Sequence, residues 1–213
     1  MLLPLAGAAI ISALPKNNEK AAKQAALGTT LVVMAVTIAM AVGFQRDNVE
    51  LQFVEKYAWI PSFGINFALG VDAIALVLIL MSVILAPIVV LAGWDEAHGG
   101  RWSVKTFYIL ILVLETMMIG VFAATDLFLF YVIFEAMLIP VYFLIGGYGT
   151  GERAAAAVKF LLYSLFGGLL MLASIIALYV MSGAQGGHTF DIDKLSQLQM
   201  SSTTQNLLFL GFF

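Results

Sequence analysis

Apolar positions in this chain run on in long blocks instead of alternating with polar ones. The blocks predict helices over about residues 2–14, 24–44, 67–92, 105–124, 125–147 and 154–181, and a further helix starts at 206–213. Roughly twenty successive apolar residues, at 1.5 Å per residue, match the ~30 Å hydrocarbon core of a bilayer. The first block is short for that purpose and is closed by Pro15. The third contains Pro87, which membrane helices tolerate. Polar segments separate the blocks: a basic one at 16–23, a longer one at 45–65, one at 94–102, a tight turn at Thr125-Asp126, one at 149–153, and a Gly-rich segment at 182–205. The expected fold class is all-α, a polytopic transmembrane helix bundle of about six spans plus the start of a seventh.

Composition strengthens that picture. The 213 residues are 62% hydrophobic and 11% charged, against about 25% charged in an ordinary soluble domain. The net charge of −3 is spread through the loops; the partner it implies is the lipid bilayer, with no nucleic acid. The absence of cysteine excludes disulfides and Cys-ligated zinc or iron–sulfur centres within the chain, and two histidines give little basis for a haem site. Residues 1–14 lack the charged start of a cleavable signal peptide.

Lysine and arginine also set an expected orientation. The segments after the first, third and fifth blocks hold Lys16, Lys20, Lys23, Arg101, Lys105 and Arg153. Those after the second, fourth and sixth hold only Arg46, Lys56 and Lys194. The positive-inside rule then puts the first set in the cytoplasm and the N-terminus outside.

Against this apolar background three ionisable residues stand out: Glu135 in the fifth block, Glu115 in the fourth and Lys159 in the sixth. Glu135 lies nine residues beyond Asp126, about 13 Å into the block and near the middle of a bilayer. A charge at that depth costs several kcal/mol unless it is paired, hydrated or neutralised, so a working role is the default reading. Tyr131 and Tyr142 share its helix face at i−4 and i+7. Glu115 precedes the Thr125-Asp126 turn by about as many residues as Glu135 follows it. An antiparallel hairpin would place the two carboxylates at matched depth as a proton-loading pair, with Lys159 feeding it from the cytoplasmic side. Helix rotation is not fixed by spacing, so Glu115 equally fits contact with a neighbouring subunit or a backbone carbonyl. Asp72 and Asp126 read as helix caps, and Lys159 also fits a snorkelling side chain. Gly147-Tyr148-Gly149 matches the tripeptide of potassium filters but ends a continuous helix without a pore helix before it, and the 147/149/151 glycines lack the spacing and strand of a dinucleotide loop.

Residues 127–146, LFLFYVIFEAMLIPVYFLIG, resemble the fifth-helix signature of the antiporter-like membrane subunits of respiratory complex I. Trp59-Ile60-Pro61-Ser62-Phe63-Gly64, Gly70-Val71-Asp72 and Val158-Lys159-Phe160-Leu161-Leu162-Tyr163 match the same pattern, and the Trp-Ile-Pro segment is most similar to the subunit M branch. The resemblance implies a bacterial inner-membrane protein of about fourteen spans with two inverted repeats. This chain would be its N-terminal part, with the first repeat starting near residue 105 and incomplete at Phe213. It implies proton translocation through Glu135, which would pair with a lysine on a seventh helix beyond Phe213. Lys159 would match a sixth-helix lysine that contributes to cytoplasmic proton entry. It also implies other membrane-arm subunits of complex I as partners. No cofactor is implied in this chain, because the flavin and iron–sulfur clusters belong to other subunits. Subunits of multi-subunit sodium/proton antiporters and of membrane-bound hydrogenases share the helix pattern, and a membrane scaffold held together by its buried charges is a further alternative.

Overall fold

The computed structural model describes residues 1–15, 18–45, 50–95 and 100–212. Lys16, Arg46, Asp47, Glu96 and His98, which entered the charge and loop readings, lie outside the described residues. The helices are α1 (Leu3–Ala13), α2 (Glu19–Val42), α3 (Ala73–Ala92), α4 (Val104–Ala123), α5 (Leu127–Tyr148), α6 (Arg153–Gly183), α7 (Ile192–Ser196) and α8 (Ser202–Phe212). Five of them, α2 to α6, are long and apolar enough to cross a membrane. α1 is equally apolar but, with 11 residues, spans only about 17 Å.

Side-chain caps start most of these helices, since the first turn of a helix leaves backbone N–H groups without partners. Asn18 caps α2, Asp72 caps α3, Ser103 caps α4 and Asp126 caps α5. The expected capping roles of Asp72 and Asp126 are therefore met. Helix α4 is the centre of the bundle and packs against α1, α2, α3 and α5; α5 packs in turn on α6, and α6 on α8. One core gathers Ile11, Ala26, Val90, Tyr108 and Leu112, and a second gathers Val33, Leu76, Ile79, Val83 and Ile119.

The sequence reading fails between residues 45 and 72. It places a polar loop over 45–65 and starts the third span at Phe67. The structure instead has a two-stranded antiparallel sheet, β1 (Gln52–Ile60) and β2 (Ile65–Val71), and α3 starts only at Ala73. A short turn at Pro61–Phe63 joins the strands, closed by Gly64 in the left-handed region at φ 69°, a conformation that glycine adopts without a Cβ clash. Strand β2 reads as an extension of the third apolar block because it is itself apolar and packs against α3, α4 and α5. The cap at Asp72, where Oδ1 accepts from Ala75 N at 2.6 Å, marks the true start of the helix.

The connections fall on two faces. On one lie the hairpin, the α4–α5 turn and the α6–α7 segment, stitched by Thr125 N to Ala68 O at 3.0 Å, Leu127 N to Phe190 O at 2.8 Å and Ile192 N to Thr125 O at 3.1 Å. On the other, Lys105 Nζ donates to the carbonyls of Ser12 (2.7 Å) and Leu14 (2.6 Å), Arg101 N to Gly147 O (2.7 Å) and Tyr148 Oη to Ser103 O (2.8 Å). Lys23 Nζ also donates to Trp94 O and pairs with Asp95 at 3.7 Å on this second face. The described members of the basic set thus share one face, as a multi-pass chain with alternating loops requires.

Candidate proton-translocation site

Asp126 is firmly tied to the backbone around it. It is 1% exposed and accepts three backbone N–H groups: Asn66 at 3.0 Å through Oδ2, and Phe128 at 3.0 Å and Leu129 at 3.1 Å through Oδ1. It therefore caps α5 and holds the hairpin to it. Burial pushes its carboxyl above the ordinary aspartate value, the three N–H donors pull against that, and Asp191 adds a smaller upward push. The acid is structural.

Nine residues on, α5 carries Glu135 against α6. The site is built by a missing side chain: a Cβ on Gly168 would overlap Glu135 Oε1, and would lie 2.6 Å from its Cδ and 3.2 Å from Oε2. The carboxyl thus occupies the space that any other residue at 168 would fill. Oε1 is buried and has no hydrogen-bond partner among the described residues. Gly168 also lines a cavity of about 510 Å³ between α5, α6 and α8, together with Ser164, Gly167 and Gly211. Pro140, five residues after Glu135 and buried, removes the donor that would bond the Ala136 carbonyl, leaving an acceptor one residue from the acid. A carboxyl with one open oxygen, seated on a cavity-lining glycine and next in sequence to a carbonyl that lacks its usual helical donor, is equipped to take up and pass on a proton, or to hold a cation.

The other two predicted residues lie elsewhere. Glu115 is 3% exposed and projects into a groove between α3 and α4 that Ser82, Leu85, Ala86 and Val89 line on the α3 side. It does not face Glu135, which turns toward α6. Lys159 is exposed. It precedes Gly168 by nine residues, about two and a half turns at 3.6 residues per turn, which puts it on the opposite side of α6 from Glu135. Among the described residues no ion pair joins Lys159 to either carboxylate. Matched depth alone does not make a pair, because helix rotation sets which neighbour a side chain meets. The residue that sequence reasoning missed is Gly168. Its signal was the Gly167-Gly168 pair inside a long apolar helix, where glycine has a packing reason or a cost of about 1 kcal/mol.

Comparison with known proteins bears on the fold that carries these residues. Residues 124–213 match the family model "NADH:quinone oxidoreductase/Mrp antiporter, TM". NADH-quinone oxidoreductase subunit M of Mycobacterium tuberculosis is 41% identical over 99% of this chain and 44% of that protein. The chain therefore spans less than half the length of this relative. A chain of respiratory complex I from Thermus thermophilus with bound NADH superposes with a TM-score of 0.81 at 26% identity, over 99% of this chain and 41% of that one. A chain of the Mrp complex from Dietzia has the same fold, with a TM-score of 0.79 at 16% identity, covering 99% and 22%. Apolar spans, a carboxylate in mid-helix, the family match over residues 124–213 and the superposition all point one way: this multi-pass membrane chain is similar to the antiporter-like membrane subunits described by the NADH:quinone oxidoreductase/Mrp antiporter model.

Proposed function

We propose that this chain is part of a membrane-arm subunit of a proton-translocating NADH–quinone oxidoreductase and that Glu135 carries protons in it. The observation that supports this most is Glu135 itself, held in mid-helix by the space at Gly168, with Oε1 open. A carboxylate there needs a counter-charge or a proton. A cation delivered by the rest of the protein would hold it ionised, and withdrawal of that cation would favour protonation. Cycling between the two states moves a proton without redox chemistry in this chain. NADH oxidation and quinone reduction are assigned to other subunits, with their flavin and iron–sulfur clusters. The face carrying Lys23, Arg101 and Lys105 is assigned to the cytoplasm, with the N-terminus outside the bacterial inner membrane.

A second reading, a subunit of a sodium/proton antiporter, draws on the fold shared with the Mrp complex. Purification of the full-length protein in mild detergent, followed by reconstitution, separates the two. The proposal requires co-purifying redox subunits and NADH-driven proton uptake. Proton movement driven by a sodium gradient, with no NADH oxidation in the preparation, would favour the antiporter.

A further inference from the structure

The groove between α3 and α4 contains a group that the proposed proton path does not use. Ser82, Ala86 and Val89 of α3 face Ile111, Glu115 and Met118 of α4 across a cavity of about 390 Å³, within the about 300–1,000 Å³ usual for small-molecule sites. Its walls are apolar apart from two side chains. Ser82 Oγ is already committed, donating to Leu78 O at 2.9 Å. That leaves Glu115, which is 3% exposed and whose Oε1 and Oε2 are both buried without a hydrogen-bond partner among the described residues. A buried carboxyl with both oxygens unmet is an uncommon and costly arrangement, and such groups call for a partner.

The chemistry of that partner follows from the walls and the acid. An anion is repelled. A metal ion needs several ligands, and no group of three or more His, Cys, Asp or Glu side chains suited to one occurs among the described residues. An alcohol donates one hydrogen and leaves the second oxygen unmet. A primary ammonium brings three donors and a full positive charge for two oxygens. Depth restricts the rest of the molecule: Glu115 lies nine residues from Ala124, about 14 Å down the helix, too deep for the head of a phospholipid in its leaflet. We infer that the α3–α4 groove is a binding site for a small amphiphilic amine, its nitrogen paired with Glu115 and its hydrocarbon body lying along Ala86, Val89, Ile111 and Met118.

The test uses the intact complex in phosphatidylcholine vesicles and two probes of equal length, decylamine and decanol, each with a photoreactive diazirine on the chain. Mass spectrometry of the digested subunit locates the label, and unlabelled decylamine serves as competitor. The inference predicts amine label on the α3 and α4 peptides, competed by decylamine and at least tenfold stronger than alcohol label, with the preference lost in Glu115→Gln. Ala86→Phe, which fills the groove and keeps the acid, should abolish amine label there. Equal labelling by amine and alcohol, an amine preference that survives Glu115→Gln, or no label on α3 and α4 would each overturn it. If Glu115→Gln does not assemble, the amine-to-alcohol ratio on the unmodified complex decides alone. Label distribution is read independently of pumping, so this result does not depend on the role proposed for Glu135.

Discussion

The seat of Glu135 makes a sharp prediction about a residue that carries no chemistry. In Gly168→Ala, the new Cβ falls on Oε1, with Cδ at 2.6 Å and Oε2 at 3.2 Å. The carboxyl must leave its place, and forcing a side chain off its rotamer costs about 0.5–1.5 kcal/mol, or about 1–3 kcal/mol where surrounding packing must also shift. Against this, alanine gains about 1 kcal/mol of helix propensity over glycine. The terms nearly cancel for stability, so the subunit should assemble. They do not cancel for geometry: a displaced acid no longer holds the position built by Gly168, and each 1.4 kcal/mol lost from the transfer step is tenfold in rate. Gly167→Ala is the control, since a Cβ there meets nothing within 4 Å and the propensity gain is the same. The assay is NADH-driven proton uptake in proteoliposomes, normalised to NADH oxidation. Gly168→Ala should pump at least tenfold less than Gly167→Ala at equal assembly, and adding Glu135→Asp, one methylene shorter, should restore part of the loss. Pumping in Gly168→Ala equal to that of the control would refute the steric argument.

Three further outcomes are expected. Single cysteines placed at Asn18 and Ser201, on opposite faces of the bundle, should react with a membrane-impermeant maleimide from opposite sides; labelling from one side would break the topology. Asp126→Ala should lower thermal stability by about 1–3 kcal/mol through loss of the cap and the stranded Asn66 N–H, and should release protease sites in the hairpin. Because burial raises the Asp126 carboxyl above its unfolded value of about 3.9, its contribution is fullest in acid and declines as pH rises through the folded value; thermal melts of wild type and Asp126→Asn should therefore diverge in wild type's favour as pH falls, and parallel curves would contradict this. Lys159→Ala should leave pumping intact, given its place on the far side of α6 from Gly168, and a steep loss would show that the path runs along that other face.

Helices α2 to α6 were legible because each is a block of apolar residues longer than either strand, with a capping side chain or a glycine at one end or both, whereas the five-residue α7 lay hidden in the Gly-rich segment. The hairpin was not. Ile65–Val71 is an apolar strand followed after one residue by an apolar helix, and the cap at Asp72 carries little weight in a hydropathy pattern. Glu135 was legible as an acid in a greasy run, since depth is read directly from its position along the block. Gly168, the orientation of Glu115 and the far-side position of Lys159 depend on which helix faces meet, and a one-residue change of rotation moves a side chain by about 100°. A helical period gives the relative angle of two residues on one helix, but never the angle between residues on different helices. The α4–α5 carboxylate pair failed for that reason.

The central claim, that an ionisable carboxyl at Glu135 moves protons, rests most directly on Glu135→Gln in the full-length subunit within its complex. Glutamine keeps the shape and fills the space at Gly168 but cannot exchange a proton. Moving one charge against 100 mV requires about 2.3 kcal/mol, close to the energy of two pKa units at about 1.4 kcal/mol each, so loss of the titrating group removes a step of the size the membrane demands. The measurement is the number of protons taken up per NADH oxidised. The account predicts an assembled complex in which that ratio falls steeply, while an unchanged ratio would contradict it.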